Sequence, residues 1–594
     1  MKEIAERLSR LRELMRREHL SAFIFPSTDP HNSEYVPQHW EGRKWISGFT
    51  GSAGTAVVTL TSAAVWTDSR YFLAAADELS DTEYQLMKER MPGTPTIAQW
   101  LGHELADAPT TEVGVDGSCL SAEEVEALVA ELRENGGLTL RTNLDPLAEI
   151  WTSRPPIPTS KVFVHQPRYA GVSAHDKLSA LRSQLALRHA DGMLVCALDD
   201  IAWLLNLRGQ DVHCTPVFVG YVLVSVDGAT LFVDKAKLTP EVEQYLANEG
   251  VGVAPYTAVT EALRHYNDYN LLLDPAEVNY TLWRAAAQLR VVRAASPVPA
   301  MKAVKNETEI EGFHHAMLRD GVALVRFLKW LKPAVQAGGE TELSAAEKLR
   351  ALRAEQPLFR DLSFDTIAAY AAHGAIVHYE PTAESDVPLR PEGLLLLDSG
   401  AQYLDGTTDI TRTVALGPVT DEERKVYTLV LKGHLQLQNL CFPDGACGSQ
   451  LDAVARMAMW HEGMNFMHGT GHGVGAYLNV HEGPHQIRME WRPAPLHAGM
   501  TVTDEPGLYL AGRFGVRTEN TLLVVPHRET EFGSFLRFEP LTLCPIDKAP
   551  IVLEMLSVDE RALLNAYHRH VYEALYPLLE PDEQKWLADA CAPL

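Results

Sequence analysis

Cysteine is scarce in this chain, and what there is does not pair. The seven cysteines, at 119, 196, 214, 441, 447, 544 and 591, are odd in number, scattered, and never spaced Cys-x-x-Cys. That argues against a disulfide framework or a structural zinc knot, and for reduced thiols in a cytoplasmic setting. Basic charge is also short: 52 Lys and Arg stand against 78 Asp and Glu, a formal charge of −26. With no basic excess to neutralise phosphates, nucleic acid and anionic membrane surfaces are excluded as partners. Long apolar runs are missing too. No stretch of about 18 apolar residues occurs, so no membrane span is expected. The charged, helix-periodic start, MKEIAERLSRLRELMRREHL, lacks the apolar region of a secretory signal.

What is present is an ordinary globular composition, 46% apolar and 22% charged, spread over 594 residues. That is too long for one core. Ile4, Leu8, Leu11 and Leu14 share a helical face, and Ser21–Pro26 reads as a buried strand. Strands joined by Gly/Ser turns follow, then a helix over 122–134 and a Pro-rich boundary at 144–158. The pattern then restarts. Residues 175–209 are again helix, strand and a Trp-to-Gly element, and 217–238 are paired strands with an Asp227-Gly228 turn. Trp45…Gly48 parallels Trp203…Gly209, and VWTDSRYFL parallels LFVDKAKL, as if one α/β unit were used twice. A second boundary lies near Ser296–Pro299, and 304–331 reads as a long amphipathic helix. The expected domains are 1–155, 156–300 and 301–594.

The chemistry collects in the last of these. HGTGHGVGAYLNVHEGP places His468, His472 and His481 among Gly469, Gly471, Gly473 and Gly475. Each glycine inside a helix costs about 0.5–1 kcal/mol against Ala, so His468 and His472 are not an i, i+4 helical pair. An extended or looped backbone, approached closely by something else, fits better. One neutral imidazole can bind a metal there while the others handle protons. A glycine-rich loop with surface histidines is the competing reading. A phosphate-cradling loop is weak, because no Lys-Ser/Thr follows.

Carboxylates complete the set. LLLLDSGAQYLDGTTDITRTVAL has the pattern of a β-hairpin turning at Asp405-Gly406, with Asp398 and Asp409 on one face. That turn leaves them four residues apart along the ribbon, roughly 13 Å, so sharing a metal requires a bulge or bend. Two exposed turn-flanking acids would read the same way. Glu505 in VTDEPGLYL and Glu519 in FGVRTENTLLVV each fall in a strand-like context. Four buried carboxylates need cations, and Arg517 alone supplies too little charge. Four carboxylates and one imidazole form a hard, oxygen-rich set that suits manganese, magnesium or iron(II), with cobalt or zinc as alternatives.

The series DSG, TTD, HGTGHGVG, DEPG and RTEN, in that order, resembles the metal site of the pita-bread peptidases of family M24. Methionine aminopeptidase, prolidase and aminopeptidase P belong to that group. The resemblance to aminopeptidase P (Xaa-Pro aminopeptidase), of the long three-domain cytosolic type, covers nearly the whole chain. It is carried by SEYVPQHWEGRKWISGFTGSAGTAVVT, VWTDSRYFL, LSFDTIAAYAAHGAIVHY, the aspartate ribbon, the histidine stretch, FGVRTEN and DERALLNAYHRHVYEAL. It implies an α/β (α+β) chain: a C-terminal pita-bread metallopeptidase domain with a helical extension, preceded by two creatinase-like α/β domains. It implies metal ligation by Asp398, Asp409, His472, Glu505 and Glu519, with His378 as proton shuttle. His468 and His481 would contact substrate and stabilise the intermediate, Glu505 would act as general base, and Arg517 would be the site arginine. The implied cofactors are two divalent metal ions, manganese foremost, with cobalt, iron(II) or zinc possible, bridged by the attacking hydroxide. The implied partners are peptides with proline at position two and a second copy of the chain in a cytoplasmic homodimer. Prolidase, the same chemistry confined to dipeptides, is the nearest alternative. A non-catalytic pita-bread peptide-binding module is another, but the replaced ligands expected of it are absent.

Overall fold

Two successive stretches of chain build the same sheet. The computed structural model describes residues 2–594 apart from Pro109 and Asp268. The first sheet takes Ala22–Phe25, Thr55–Thr59, Ala63–Thr67, Tyr84–Lys88, Glu112–Val115 and Thr139–Arg141. The second takes Gly192–Val195, Gly220–Val224, Ala229–Val233, Val251–Ala254, Asn270–Leu273 and Arg290–Arg293. Numbered by their order in the chain, the strands of both sheets lie 4-3-2-1-5-6. The directions also agree: strands 1–2 and 2–3 are antiparallel, while 3–4, 1–5 and 5–6 are parallel. The doubling read from the Trp-to-Gly echo is thus a duplicated topology. In each copy a short helix carries the echoed tryptophan, Gly42–Ser47 with Trp45 and Leu198–Leu204 with Trp203.

Local signals start the helices. Ser121 accepts from the Glu124 N–H while Glu124 reaches back to Ser121, and helix Ala122–Glu134 follows that capping box. Lys2–Arg17 buries Leu8, Leu11, Leu14 and Met15.

Chain contacts divide the molecule into two compact units. One runs to His165 and includes Val172–Val298; the other is Pro299–Leu594 with Gln166–Gly171. Both copies of the doubled sheet therefore belong to a single unit. Asn279 and the Tyr221 hydroxyl of the second copy both donate to the Pro30 carbonyl of the first.

In the other unit the long helix is Glu307–Ala337, opened by an Asn306/Glu309 capping box. Its Leu324, Phe327 and Leu331 pack on Leu395, Leu397 and Val414 of the strands Leu394–Ser399 and Ile410–Ala415. A second core joins Val426, Leu429, Val430 and Leu435 of helix Asp421–Gln438 to Leu564, Val571 and Leu575 of helix Val558–Leu575. Between these layers the strands are mostly short and pair antiparallel throughout, in five small sheets among the described residues. No helix among the described residues is long and apolar enough to cross a membrane.

Candidate metal centre

The hairpin with the two aspartates turns one residue earlier than its sequence suggests. Tyr403 pairs with Gly406, so the two turn residues are Leu404 and Asp405 rather than Asp405 and Gly406. Arg319 clamps the Asp405 carboxylate at 2.8 and 2.6 Å, which takes that acid into the fold instead of leaving it at the tip. The shift changes the register of the whole ribbon: Asp398 pairs with Thr411. Asp409 is then two residues from the partner of Asp398, on the same face, where diagonal neighbours lie about 7–8 Å apart. The expected gap of four residues is halved. The ladder also breaks at Gly400 and at Thr408–Asp409, where the ribbon passes from one small sheet to the next. A Cβ on Gly400 would lie 2.0 Å from the Thr408 carbonyl oxygen, so the crossing needs glycine. Both aspartates are buried, not exposed.

His472 lies on an extended strand, Gly471–Gly473, paired with Glu482–Ile487 through a register shift. What comes close to the glycines is backbone. A Cβ on Gly471 would sit 1.9 Å from the Thr503 carbonyl oxygen, and one on Gly473 would sit 2.4 Å from that of Glu482. His468 is held from below by Arg456 of helix Gly448–His461. That guanidinium donates to the His468 carbonyl at 2.9 Å, packs 3.7 Å over the Phe466 ring and pairs with Asp452. The glutamates sit at interruptions. Glu505 follows strand Thr501–Asp504 and precedes Pro506, and Glu519 falls between Phe514–Arg517 and Asn520–Thr530. Each leaves its ladder where the ribbon bends, so the strand-like stretches VTDEPGLYL and FGVRTENTLLVV are each two strands with the glutamate between them. The buried Arg412 holds the Glu519 carbonyl at 2.6 Å.

These segments bring the candidate ligands together. Donor atoms of Asp409, His472 and Glu519 all lie within 4.8 Å of one another. His472 Nε2 is 3.5 Å from Asp409 Oδ2 and 3.4 Å from Glu505 Oε1. Two donors on one ion, with bonds of about 2.0–2.2 Å, lie about 3–3.5 Å apart. Asp398 enters through Arg517, whose Nε and Nη2 both donate to Oδ2, at 3.0 and 2.7 Å. His481 packs edge-on against His472, ring centres 4.4 Å apart. His378 is half-buried, next to Val377, whose carbonyl accepts from Arg517 at 3.3 Å.

The electrostatics mark a cation site. Burial, with the charges of Asp398 and Glu505 added, pushes Asp409 well above the usual carboxylate range. Glu519 is raised in the same way by burial and then by Asp409 and Asp398. Glu505 is raised to about 7 by burial and Asp398, against the opposing pull of Arg517. Burial works against the Arg517 charge, but Tyr509, Asp398 and Glu505 outweigh it and raise its pKa. One guanidinium cannot hold four carboxylates ionised in a buried site. The hydrogen bonds say which atoms face the gap. Arg517 takes Asp398 Oδ2, and the buried Oδ1 has no hydrogen-bond partner among the described residues. Thr411 donates to Glu519 Oε2 at 2.9 Å. His472 Nδ1 sits 2.9 Å from the Gly473 carbonyl, which makes Nδ1 the protonated nitrogen and turns the Nε2 lone pair toward the carboxylates. The donor set fits divalent cations.

Sequence reasoning overlooked Tyr509. Its hydroxyl is 2.7 Å from both His468 Nε2 and Arg517 Nη1, which links His468 through Tyr509 and Arg517 to Asp398. The signal was faint: a tyrosine four residues after Glu505 in an alternating strand, Gly507–Leu510. Thr411 and Thr503, whose hydroxyls touch Glu519 and Glu505, carried no signal.

A buried carboxylate cluster with one imidazole, on small antiparallel sheets backed by helices, defines a metallopeptidase of pita-bread type. The description "Metallopeptidase family M24" matches residues 311–526, and the C-terminal region of that family matches 534–594. The "Creatinase/Prolidase N-terminal domain" matches twice, at 7–144 and 153–309. A probable Xaa-Pro aminopeptidase P of Laccaria bicolor is 41% identical over 99% of this chain and 93% of its own length. The chain belongs to the Xaa-Pro aminopeptidase family of M24 metallopeptidases. The crystal structure of X-prolyl aminopeptidase from Caenorhabditis elegans, described as a cytosolic enzyme with a di-nuclear active site, superimposes with a TM-score of 0.95. It is 35% identical, and each chain is covered completely. Xaa-Pro dipeptidase from Bacillus anthracis is 25% identical with a TM-score of 0.51. It covers 63% of this chain and 99% of its own.

Proposed function

We propose that this protein is a metal-dependent aminopeptidase that hydrolyses the bond between an N-terminal residue and a following proline. The observation that carries the proposal is the buried cluster of Asp398, Asp409, His472, Glu505 and Glu519, with too few cations of its own. These five residues would hold two divalent cations, a reading supported by the C. elegans relative's description as having a di-nuclear active site. Manganese suits the oxygen-rich donors best, with cobalt, iron(II) or zinc as alternatives. When bound, the cations supply Lewis acidity and a water of lowered pKa.

The protein's own groups do the rest. Arg517 occupies Asp398 Oδ2 and so keeps Oδ1 directed at the cluster. Glu505 has a side chain 18% exposed, against 5% for Asp409, so it faces the substrate side and serves as general base. It takes the proton of the attacking water and passes it to the nitrogen of the leaving proline. His481, against His472, or His378, next to the Val377 carbonyl that Arg517 holds, is the donor for the developing oxyanion. His468, held by Tyr509, contacts the peptide.

Domain limits of 1–155, 156–300 and 301–594 are supported by the two creatinase/prolidase matches and the M24 match. A cytoplasmic location is supported by the description of the C. elegans enzyme as cytosolic. A homodimer is supported by an exposed apolar set near the histidine stretch: Met457 and Trp460 on helix Gly448–His461, Met467 beside His468, and Met489 and Trp491.

Full-length coverage by the aminopeptidase structure, against 63% by a dipeptidase, favours this reading over prolidase. The test is purified protein with manganese on Gly-Pro, Arg-Pro-Pro and Arg-Ala-Ala, following release of the first residue. Proline closes a ring at the second position and removes its N–H. Arg-Pro-Pro should therefore be cut and Arg-Ala-Ala barely. Equal kcat/KM on both would leave a general aminopeptidase, and activity confined to Gly-Pro would leave a prolidase.

A further inference from the structure

The connection between strands Ile367–Tyr370 and Leu394–Ser399 carries His378, and one buried carboxylate organises it. Glu342 opens helix Glu342–Ala354 and is fully buried. Its Oε1 accepts from the Tyr370 backbone N–H at 2.7 Å. His373 Nδ1 is 2.9 Å from Oε1 and 3.1 Å from Oε2. Tyr379 donates its hydroxyl to Oε2 at 2.8 Å, and the His373 and Tyr379 rings lie against each other, centres 4.3 Å apart and tilted by 31°. Farther along, the Leu343 N–H donates to Asp386 and the Glu342 N–H to the Val387 carbonyl. A carboxylate removed from water has to be satisfied by donors. Two of these donors come from that connection and the third from the last residue of the strand before it, so the carboxylate gathers the start of the loop around itself.

His378 lies between two anchors. On one side the Val377 carbonyl accepts from Arg517 at 3.3 Å; on the other the Tyr379 hydroxyl is held by Glu342. We propose that Glu342 is a positioning residue for His378: by gathering Tyr370, His373 and Tyr379 it fixes the loop that carries this residue, next in the chain to the Val377 carbonyl that Arg517 holds. The proposal rests on the function above, in which His378 acts on the substrate.

Two measurements test it, on Glu342→Gln, which keeps the volume, and on the gentler Tyr379→Phe, which removes a single hydroxyl. In hydrogen exchange of the full chain, peptides over 371–385 should exchange at least about tenfold faster in both variants, with helix Asp421–Gln438 unchanged. Unaltered exchange in 371–385 would overturn the proposal. In kinetics at full metal content, Glu342→Gln should lower kcat on Arg-Pro-Pro about tenfold with KM within about twofold. In a His378→Ala background it should cost nothing further, since the residue it positions is gone. No loss of kcat, or an equal loss in both backgrounds, would make Glu342 merely structural. A parent protein that fails to cut Arg-Pro-Pro would bring down the function itself. That outcome is distinct from unaltered exchange or additive losses in an active enzyme.

Discussion

The doubled N-terminal unit and the catalytic unit treat buried charge differently. Among the described residues of the first, four acids are buried (Asp29, Asp200, Asp211 and Asp274) against four bases (Arg43, Lys177, Arg208 and Lys237). Lys237 pairs with Asp211, whose carboxylate also accepts from Val219 and Ser160. Lys177 donates to the Trp203 carbonyl and to Asn206. In the catalytic unit twelve buried acids face six buried bases: Glu309, Asp320, Glu342, Asp398, Asp405, Asp409, Glu423, Asp452, Glu482, Asp504, Glu519 and Glu560 against Lys302, Lys305, Arg353, Arg412, Arg456 and Arg517. Much of that excess is absorbed locally, as when Arg319 takes Asp405 and Lys432 takes Glu560. What is not absorbed lies at Asp409 and Glu519, both pushed well above the usual carboxylate range by burial and by neighbouring acids. Balanced burial is architecture. Unbalanced burial is a demand for a ligand, because ionised groups in a buried site are tolerated only when paired or bound to metal.

The strongest way to break the comparison is to remove the one nitrogen from the unbalanced cluster. His472→Ala should lose one of two metal ions and cut activity at least about 1,000-fold, roughly 4 kcal/mol of barrier. Circular dichroism should not change, since no core apolar area is deleted. Elemental analysis, spectra and activity belong on the same sample. Full activity at unchanged metal content would reduce His472 to a loop histidine and dissolve the proposed site.

The balanced unit should fail in the opposite way. Asp211→Ala leaves the Lys237 ammonium buried and unpaired, so unfolding stability should fall by about 3–5 kcal/mol while metal content holds. Urea titration followed by tryptophan fluorescence reads the first quantity. A loss under about 1 kcal/mol would mean that Lys237 finds water, and that the pairing in this unit is decoration.

The smallest effect is a pH dependence, and both units share it, since burial also lowers His31 and His165 of the doubled unit. In the catalytic unit His485 and His568 are fully buried, and burial depresses both to about 4. The Ile546 N–H donates to His568 Nε2, a bond only the neutral ring can accept. Unfolded histidine titrates near 6.5. Between pH 6.5 and 4 the unfolded chain therefore binds protons that the folded chain refuses. This contribution to stability is complete above pH 6.5, falls as the pH drops, and levels off below about 4. It amounts to at most about 3 kcal/mol per histidine. His568→Gln should flatten the curve of stability against pH over that window. An unchanged slope would mean that the His568 ring protonates without unfolding.

Much of this was legible in the residues themselves, and the reason is range. Helix starts are written in four residues, as in Asn306-x-x-Glu309 and Ser121-x-x-Glu124, because a cap is satisfied by side chains next to it. The duplicated sheets were legible because each copy repeats a local order of turn and apolar residues. The extended backbone at His472 followed from glycine density alone. Register was not legible. A shift of one residue in the turn, from Asp405-Gly406 to Leu404-Asp405, halves the separation of Asp398 and Asp409, and the Arg319 that clamps Asp405 is 86 residues away. Nor does local pattern say that Glu505 and Glu519 sit at breaks in their ladders, or that Tyr509 joins His468 to Arg517. Elements, the doubling and the kinds of donor available depend on spacings of two to four residues, and so can be read along the chain. Which donor atoms meet is set by packing. Bringing Asp398 and Glu519 into one cluster depends on long-range contacts such as Arg517 to Asp398, across 119 residues of chain, and no local pattern encodes those.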